Sequence, residues 1–110
     1  MSAVEMVLVL TTAPDDERAQ SWARSLVDER LAACVNVHGP MTSYYRWQGI
    51  VEHATEHQMV IKTTREQRAA VEARLQQLHS YELPECVVVA VEGGSEAYLK
   101  WVAAESQGGL

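Results

Sequence analysis

The chain has 110 residues, 47% of them hydrophobic and 22% charged, with a net charge of −6. That is the composition of one ordinary globular domain, long enough to bury a single core without staples. The acidic balance and the lack of a Lys/Arg stripe disfavour a nucleic-acid partner read through its phosphates, and no apolar run approaches a membrane span.

The elements follow in chain order. Residues 4–12 (VEMVLVLTT) predict a central strand, apolar on both faces in its second half. The run is short and lacks a basic leader region, so it reads as a strand and not as a secretory signal. Pro14 is expected to open a helix, with Asp15, Asp16 and Glu17 in its first turn. Ala19, Trp22, Ala23, Leu26, Val27 and Arg30 recur at helical spacing, and the helix is expected to end in LAAC at 31–34.

Cys34 to Thr64 reads as two strands of about 14 residues joined at Gln48-Gly49, where a tight turn demands φ > 0. At about 3.3 Å per residue each strand reaches roughly 45 Å, whereas a domain of this size has a radius of gyration near 13 Å. Tyr44, Tyr45, Trp47, Ile50, Val51, Met59, Val60 and Ile61 would leave an exposed arm prone to aggregation. The arm therefore predicts an oligomer of identical chains. His38-Gly39-Pro40 interrupts the first of these strands and marks a bulge or kink.

Gln67 to His79 predicts a second helix, with Val71, Leu75 and Leu78 on one stripe. Cys86 to Val91 predicts a fourth strand, apolar on both faces. Ser95 caps a terminal helix with Ala97, Tyr98, Trp101 and Val102 on its packing face. Residues 106–110 read as a frayed tail. The fold class is thus α+β, a ferredoxin-like βαββαβ with a long hairpin and an added C-terminal helix. Its first and third strands are central, and its second and fourth lie at the edges. The apolar edge of the fourth strand again asks for subunit cover.

The chemistry is sparse. His53 and His57, with Glu52 and Glu56, stand about 13 Å apart on a strand, too far to chelate one ion, and read as a solvated polar face. Thiolate and imidazole suit copper or zinc, so Cys34 and His79 form a candidate pair, with a third ligand from Glu56, water or a neighbour. Read alone, Cys34 is a buried cysteine and His79 a histidine at a helix end. Tyr45 and Trp47 share a strand face as a pocket wall or as interface packing. Lys62 reads as an anion contact, a partner of Glu85 or a surface lysine. No P-loop, dinucleotide fingerprint, nucleophile elbow, zincin helix or CxxC is present, so no enzyme is expected. Two cysteines without a paired motif fit a reducing cytoplasm, with no disulfide.

LAACVNV at 31–37, SYYRWQG at 43–49, the run from Glu56 to KTT at 62–64, HSYELPE at 79–85 and YLKW at 98–101 together resemble the CutA family of divalent-cation tolerance proteins. The resemblance covers about Val4 to Ala104. It implies a ferredoxin-like homotrimer whose hairpins wrap neighbours, an association with copper tolerance and copper binding, and no established reaction. The family's proposed metal-binding cysteine and histidine fall on Cys34 and His79. Cys86 stands where relatives usually carry an aliphatic residue. Ser80 replaces a frequent proline and Gln48 a common acid. The runner-up reading is a trimeric small-ligand sensor like the PII signalling proteins, with Tyr45, Trp47, Glu56, Lys62 and Glu85 lining a cleft between subunits. An acylphosphatase-like enzyme is disfavoured, because the loop after the first strand, TTAPDDE, is acidic.

Overall fold

A computed structural model describes residues 5–108. Four strands form one antiparallel sheet in the order β2-β3-β1-β4, with β1 at Met6–Ala13, β2 at Cys34–Trp47, β3 at Ile50–Thr64 and β4 at Val87–Ala90. This is the expected ferredoxin-like sheet, with β1 and β3 central. Val4, expected at the start of β1, lies outside the described residues. Two helices, α1 (Asp16–Asp28) and α2 (Arg68–Leu78), cover one sheet face, and α3 (Glu96–Glu105) rests on the other.

Alternation along the strands sets the two layers. Val7 and Val9 of β1 and Ile61 of β3 pack with Leu26, Val71 and Leu75 of the helices. Ala13 and Met59 meet Ala19 and Trp22 in the same layer. Met6, with Leu8 beside it, turns the other way towards Ala33, Leu99 and Val102.

Local chemistry fixes the ends of α1. Asp15, not Pro14, is the N-cap: its carboxylate accepts from the Arg18 N–H at 2.8 Å. The helix stops at Asp28, before the LAAC segment. Arg30 takes φ 60, its N–H donates to the Val27 carbonyl, and the Leu31 N–H reaches back to the Leu26 carbonyl. This is a Schellman closure with arginine in the position glycine usually holds. Arg30 is therefore a terminator and not part of the apolar stripe.

The hairpin turns on two left-handed residues, Gln48 (φ 51) and Gly49 (φ 84), the signs a type I′ turn requires. Between His38 and Met41 the β2–β3 register shifts, so the interruption at Gly39 is a bulge. Gly39 has φ +146, and a Cβ there would lie 2.8 Å from the His57 ring. The molecule measures 49 × 27 × 22 Å, with a Cα radius of gyration of 14.6 Å. The arm does overreach the body.

Other features also differ from those expected. A 3-10 turn at Arg65–Gln67 precedes α2, which ends at Leu78 with His79 as its C-cap. β4 is shorter than Cys86–Val91, and its valines are 40–49% exposed in the single chain. On α3 the packing face is Leu99 and Val102, while Tyr98 and Trp101 stack on each other at 5.5 Å and stay exposed. The tail is anchored at least to Gly108: Ser106 is buried, and the Gly108 N–H donates to the Arg30 carbonyl at 2.9 Å.

Candidate functional site

The arm changes character at one residue. From Ile50 to His53 the side chains of β3 are exposed, and at Glu56 they turn inward. Glu56 is 8% exposed, and its Oε2 accepts from the Tyr81 hydroxyl at 2.9 Å and the Thr12 hydroxyl at 3.1 Å. Burial first, and then the hydrogen bond to Glu56, push the Tyr81 phenol up to about 12.

The loop bearing Tyr81 is held by the uncovered end of β1. β4 pairs only with Val7 to Leu10, so Thr11 and Thr12 are left for the loop. Thr11 donates to the Glu85 carbonyl at 2.7 Å, and His79 Nε2 meets the Thr12 carbonyl at 2.7 Å. A carbonyl can only accept, so Nε2 carries the proton. Nδ1 accepts a longer hydrogen bond from the Tyr81 N–H at 3.4 Å. The imidazole lies between Trp22 and Tyr81, with ring centroids 4.7 and 4.5 Å away.

Cys34 stands elsewhere. It opens β2 opposite Lys62, on the face that carries α3, and Lys62 Nζ lies 5.9 Å from the Tyr98 ring. Lys62 is therefore paired with an aromatic and not with Glu85, whose side chain is exposed. His79 packs in the helical layer beside Trp22, level with Thr12. Cys34 and Lys62 lie level with Leu8, four residues back along β1, about 13 Å away. Within one chain Cys34 and His79 do not share a metal centre. Glu56 is six residues from Lys62 along β3, about 20 Å, and cannot complete a site at Cys34 in the same chain. Among the described residues no three His, Cys, Asp or Glu side chains converge as a metal cluster. Cys34 and His79 are thus two separate side chains in this structure, each of a type that copper or zinc takes as ligand.

Of the expected cleft residues, Glu56 and Tyr45 share a face by alternation past the bulge, and Tyr45 is close enough to Tyr81 to raise its phenol slightly. Trp47 lies farther out, opposite Ile50. The expected solvated face is only half present: His53 is exposed and stacks on Tyr44 at 5.4 Å, while Glu56 and His57 are buried. His57 Nδ1 has no hydrogen-bond partner among the described residues. Thr12 and Trp22 belong to the His79–Tyr81–Glu56 cluster, yet they carry no motif, and only the fold brings them there. Cys34 and Cys86 are unbonded and sit on opposite faces, Cys86 against the helical core. Burial pushes the Cys86 thiol up.

Sheet order, long hairpin and a tethered polar cluster at its root define an α+β protein of the kind seen in several solved structures. The family model described as CutA1 divalent ion tolerance protein matches residues 7–105. The divalent-cation tolerance protein CutA of Pectobacterium atrosepticum is 43% identical over 100 residues, covering 91% of each chain. The crystal structure of CutA from Xylella fastidiosa superposes with a TM-score of 0.91 at 42% identity, over 94% of this chain and 99% of that one. The Archaeoglobus fulgidus structure, described as a periplasmic divalent cation tolerance protein CutA, gives a TM-score of 0.89 at 34% identity, over 93% and 99%. The chain belongs to the CutA1 divalent ion tolerance protein family. That family is named for tolerance and not for a reaction. No helix among the described residues is long and apolar enough to cross a membrane.

Proposed function

We propose that this protein serves divalent-cation tolerance as a cytoplasmic homotrimer that binds copper, or a related ion such as zinc, through Cys34 and His79. The uncovered arm carries this reading. Tyr44, Ile50 and Val51 are 60–73% exposed in one chain, and the β4 valines leave a second apolar edge bare. Sister subunits are the natural cover for both. The metal half-sites lie on opposite faces of one sheet, so a complete coordination shell draws on a neighbour. Cys34 supplies the soft donor. His79 supplies Nδ1, whose 3.4 Å bond from the Tyr81 N–H is the longer of the ring's two and the one a metal would replace.

The cytoplasmic assignment rests on the two unbonded thiols. The archaeal relative described as periplasmic makes it a point for localisation by fractionation. We assign no reaction. The PII-like sensor has no observation in its favour beyond the shared sheet order.

The test pairs sedimentation with copper titration of wild type, Cys34→Ala and His79→Ala. A trimer whose affinity falls in both variants supports the reading. Equal, weak binding by all three proteins removes these ligands, and a monomer at micromolar concentration removes the assembly.

A further inference from the structure

Glu56 is a buried acid with no ion pair among the described residues; Arg18, whose charge reaches its partner Tyr81, is paired with Asp15. Both hydrogen bonds to Glu56 come from neutral hydroxyls and fall on Oε2. No Lys, Arg or His nitrogen lies within 4.0 Å of its carboxylate among the described residues. An ionised carboxylate taken from water is costly unless it is paired, and hydroxyl donors offset only part of that cost. Its position is equally telling. It marks the seam where β3 passes from exposed arm to buried body, so any copy sheltering the arm abuts it.

The basic residues narrow the choice of partner. Of the nine Lys and Arg residues, six make ion pairs: Arg18, Arg24, Arg30, Arg65, Arg74 and Lys100. Arg46, Lys62 and Arg68 make none among the described residues. Arg68 begins α2, in the outer helical layer. Arg46 pairs with Val51 and alternates to the sheet face opposite Glu56. Lys62 alone shares the face of Glu56. It is half-buried, and its Nζ rests on nothing stronger than the Tyr98 ring at 5.9 Å. The two groups lie about 20 Å apart along one strand and cannot meet within a chain.

We infer that Glu56 of one copy is completed by Lys62 of the partner subunit, a buried charge pair across the seam between the copies. The inference rests on the oligomeric reading above and adds to it the contact that sets how the copies register. Apolar cover is non-directional. A buried pair with Glu56 held in place by Tyr81 and Thr12 admits one docking and penalises others, the best-attested use of such pairs.

Subunit exchange between isotopically labelled and unlabelled protein, followed by native mass spectrometry, tests this in the full chain. Glu56→Gln keeps an acceptor for Tyr81 and Thr12, and circular dichroism checks that it and Lys62→Met are folded. Each single substitution is expected to speed exchange about tenfold or more, because unpairing a buried charge acts on dissociation. The double variant is expected to exchange no faster than the quicker single, and Lys62→Arg to stay slow. Wild-type exchange by Glu56→Gln, or effects of the two singles that multiply in the double, overturns the pair while leaving the trimer intact. A wild type that is monomeric at micromolar concentration overturns the oligomeric reading itself.

Discussion

The Tyr81 hydroxyl donates to Glu56 Oε2 at 2.9 Å, tying the loop after α2 to the root of the arm. The bond needs the neutral phenol. The Tyr81 pKa is raised from 10.0 to about 12, with burial the larger cause and the Glu56 bond the second. A raised folded-state value means that the stabilisation is fully present below the unfolded value and is lost as pH rises through the folded one. Wild type should therefore lose stability between about pH 10 and 12. Tyr81→Phe should start less stable and lose less over that window. Chemical denaturation at several alkaline pH values measures the difference, and parallel curves for the two proteins would deny the bond its role.

His79 is a clamp for the same loop. Truncation to Ala leaves the Thr12 carbonyl without its donor and Trp22 without its stacking partner. A loss of about 1–3 kcal/mol is expected from the orphaned buried acceptor. Urea midpoints read it. An unchanged midpoint would leave the histidine with no structural part.

Gly39 has no room for a side chain. A Cβ there would sit 2.8 Å from His57 Cδ2, and φ +146 strains any other residue. Gly39→Ala should cost about 1–3 kcal/mol and disturb the bulge. Thermal melting with amide exchange along residues 36–42 checks both effects.

Leu26 is fully buried between α1 and the sheet and also closes the C-terminal motif of α1 by accepting from the Leu31 N–H. Leu26→Ala should cost about 2–5 kcal/mol. Because the backbone closure does not use the side chain, circular dichroism of the folded variant should show α1 intact.

Trp47, near the tip of the arm, is half-buried in one chain. Trp47→Asp should weaken assembly while the secondary structure of each copy survives. Sedimentation against circular dichroism separates the two, and an intact trimer of this variant would contradict the proposed role of the arm.

The element order could be read from the chain because hydrophobic alternation and its breaks are local signals. The hairpin could be read for the same reason, down to the bulge at Gly39. The stop of α1 could not: Arg30 adopts a left-handed conformation that sequence usually announces with glycine. Apolar surface points to Tyr98 and Trp101 as the packing face of α3, yet Leu99 and Val102 are the residues aimed at Met6. Cys34 and His79 were legible as ligand types, but their placement on opposite faces was not. The Glu56 cluster drew on Thr12, Trp22 and Tyr81, which lie far apart in sequence and carry no common motif. The polar neighbours of Glu56 in sequence suggest a wetted face, and only the β1–loop packing reveals it as enclosed.

The sheet places β1 between β3 and β4, with Met6 opposite Thr64 and Val7 opposite Ala90. β1 thus has no strand to zip against until β3, which begins at Ile50, has followed it. The β2–β3 ribbon, joined by a two-residue turn, can close on the microsecond scale of hairpins and then serve as the template for β1. Long sequence separation of this kind slows folding, so the central position of β1 sets a cost in closure that the local β2–β3 ribbon does not carry.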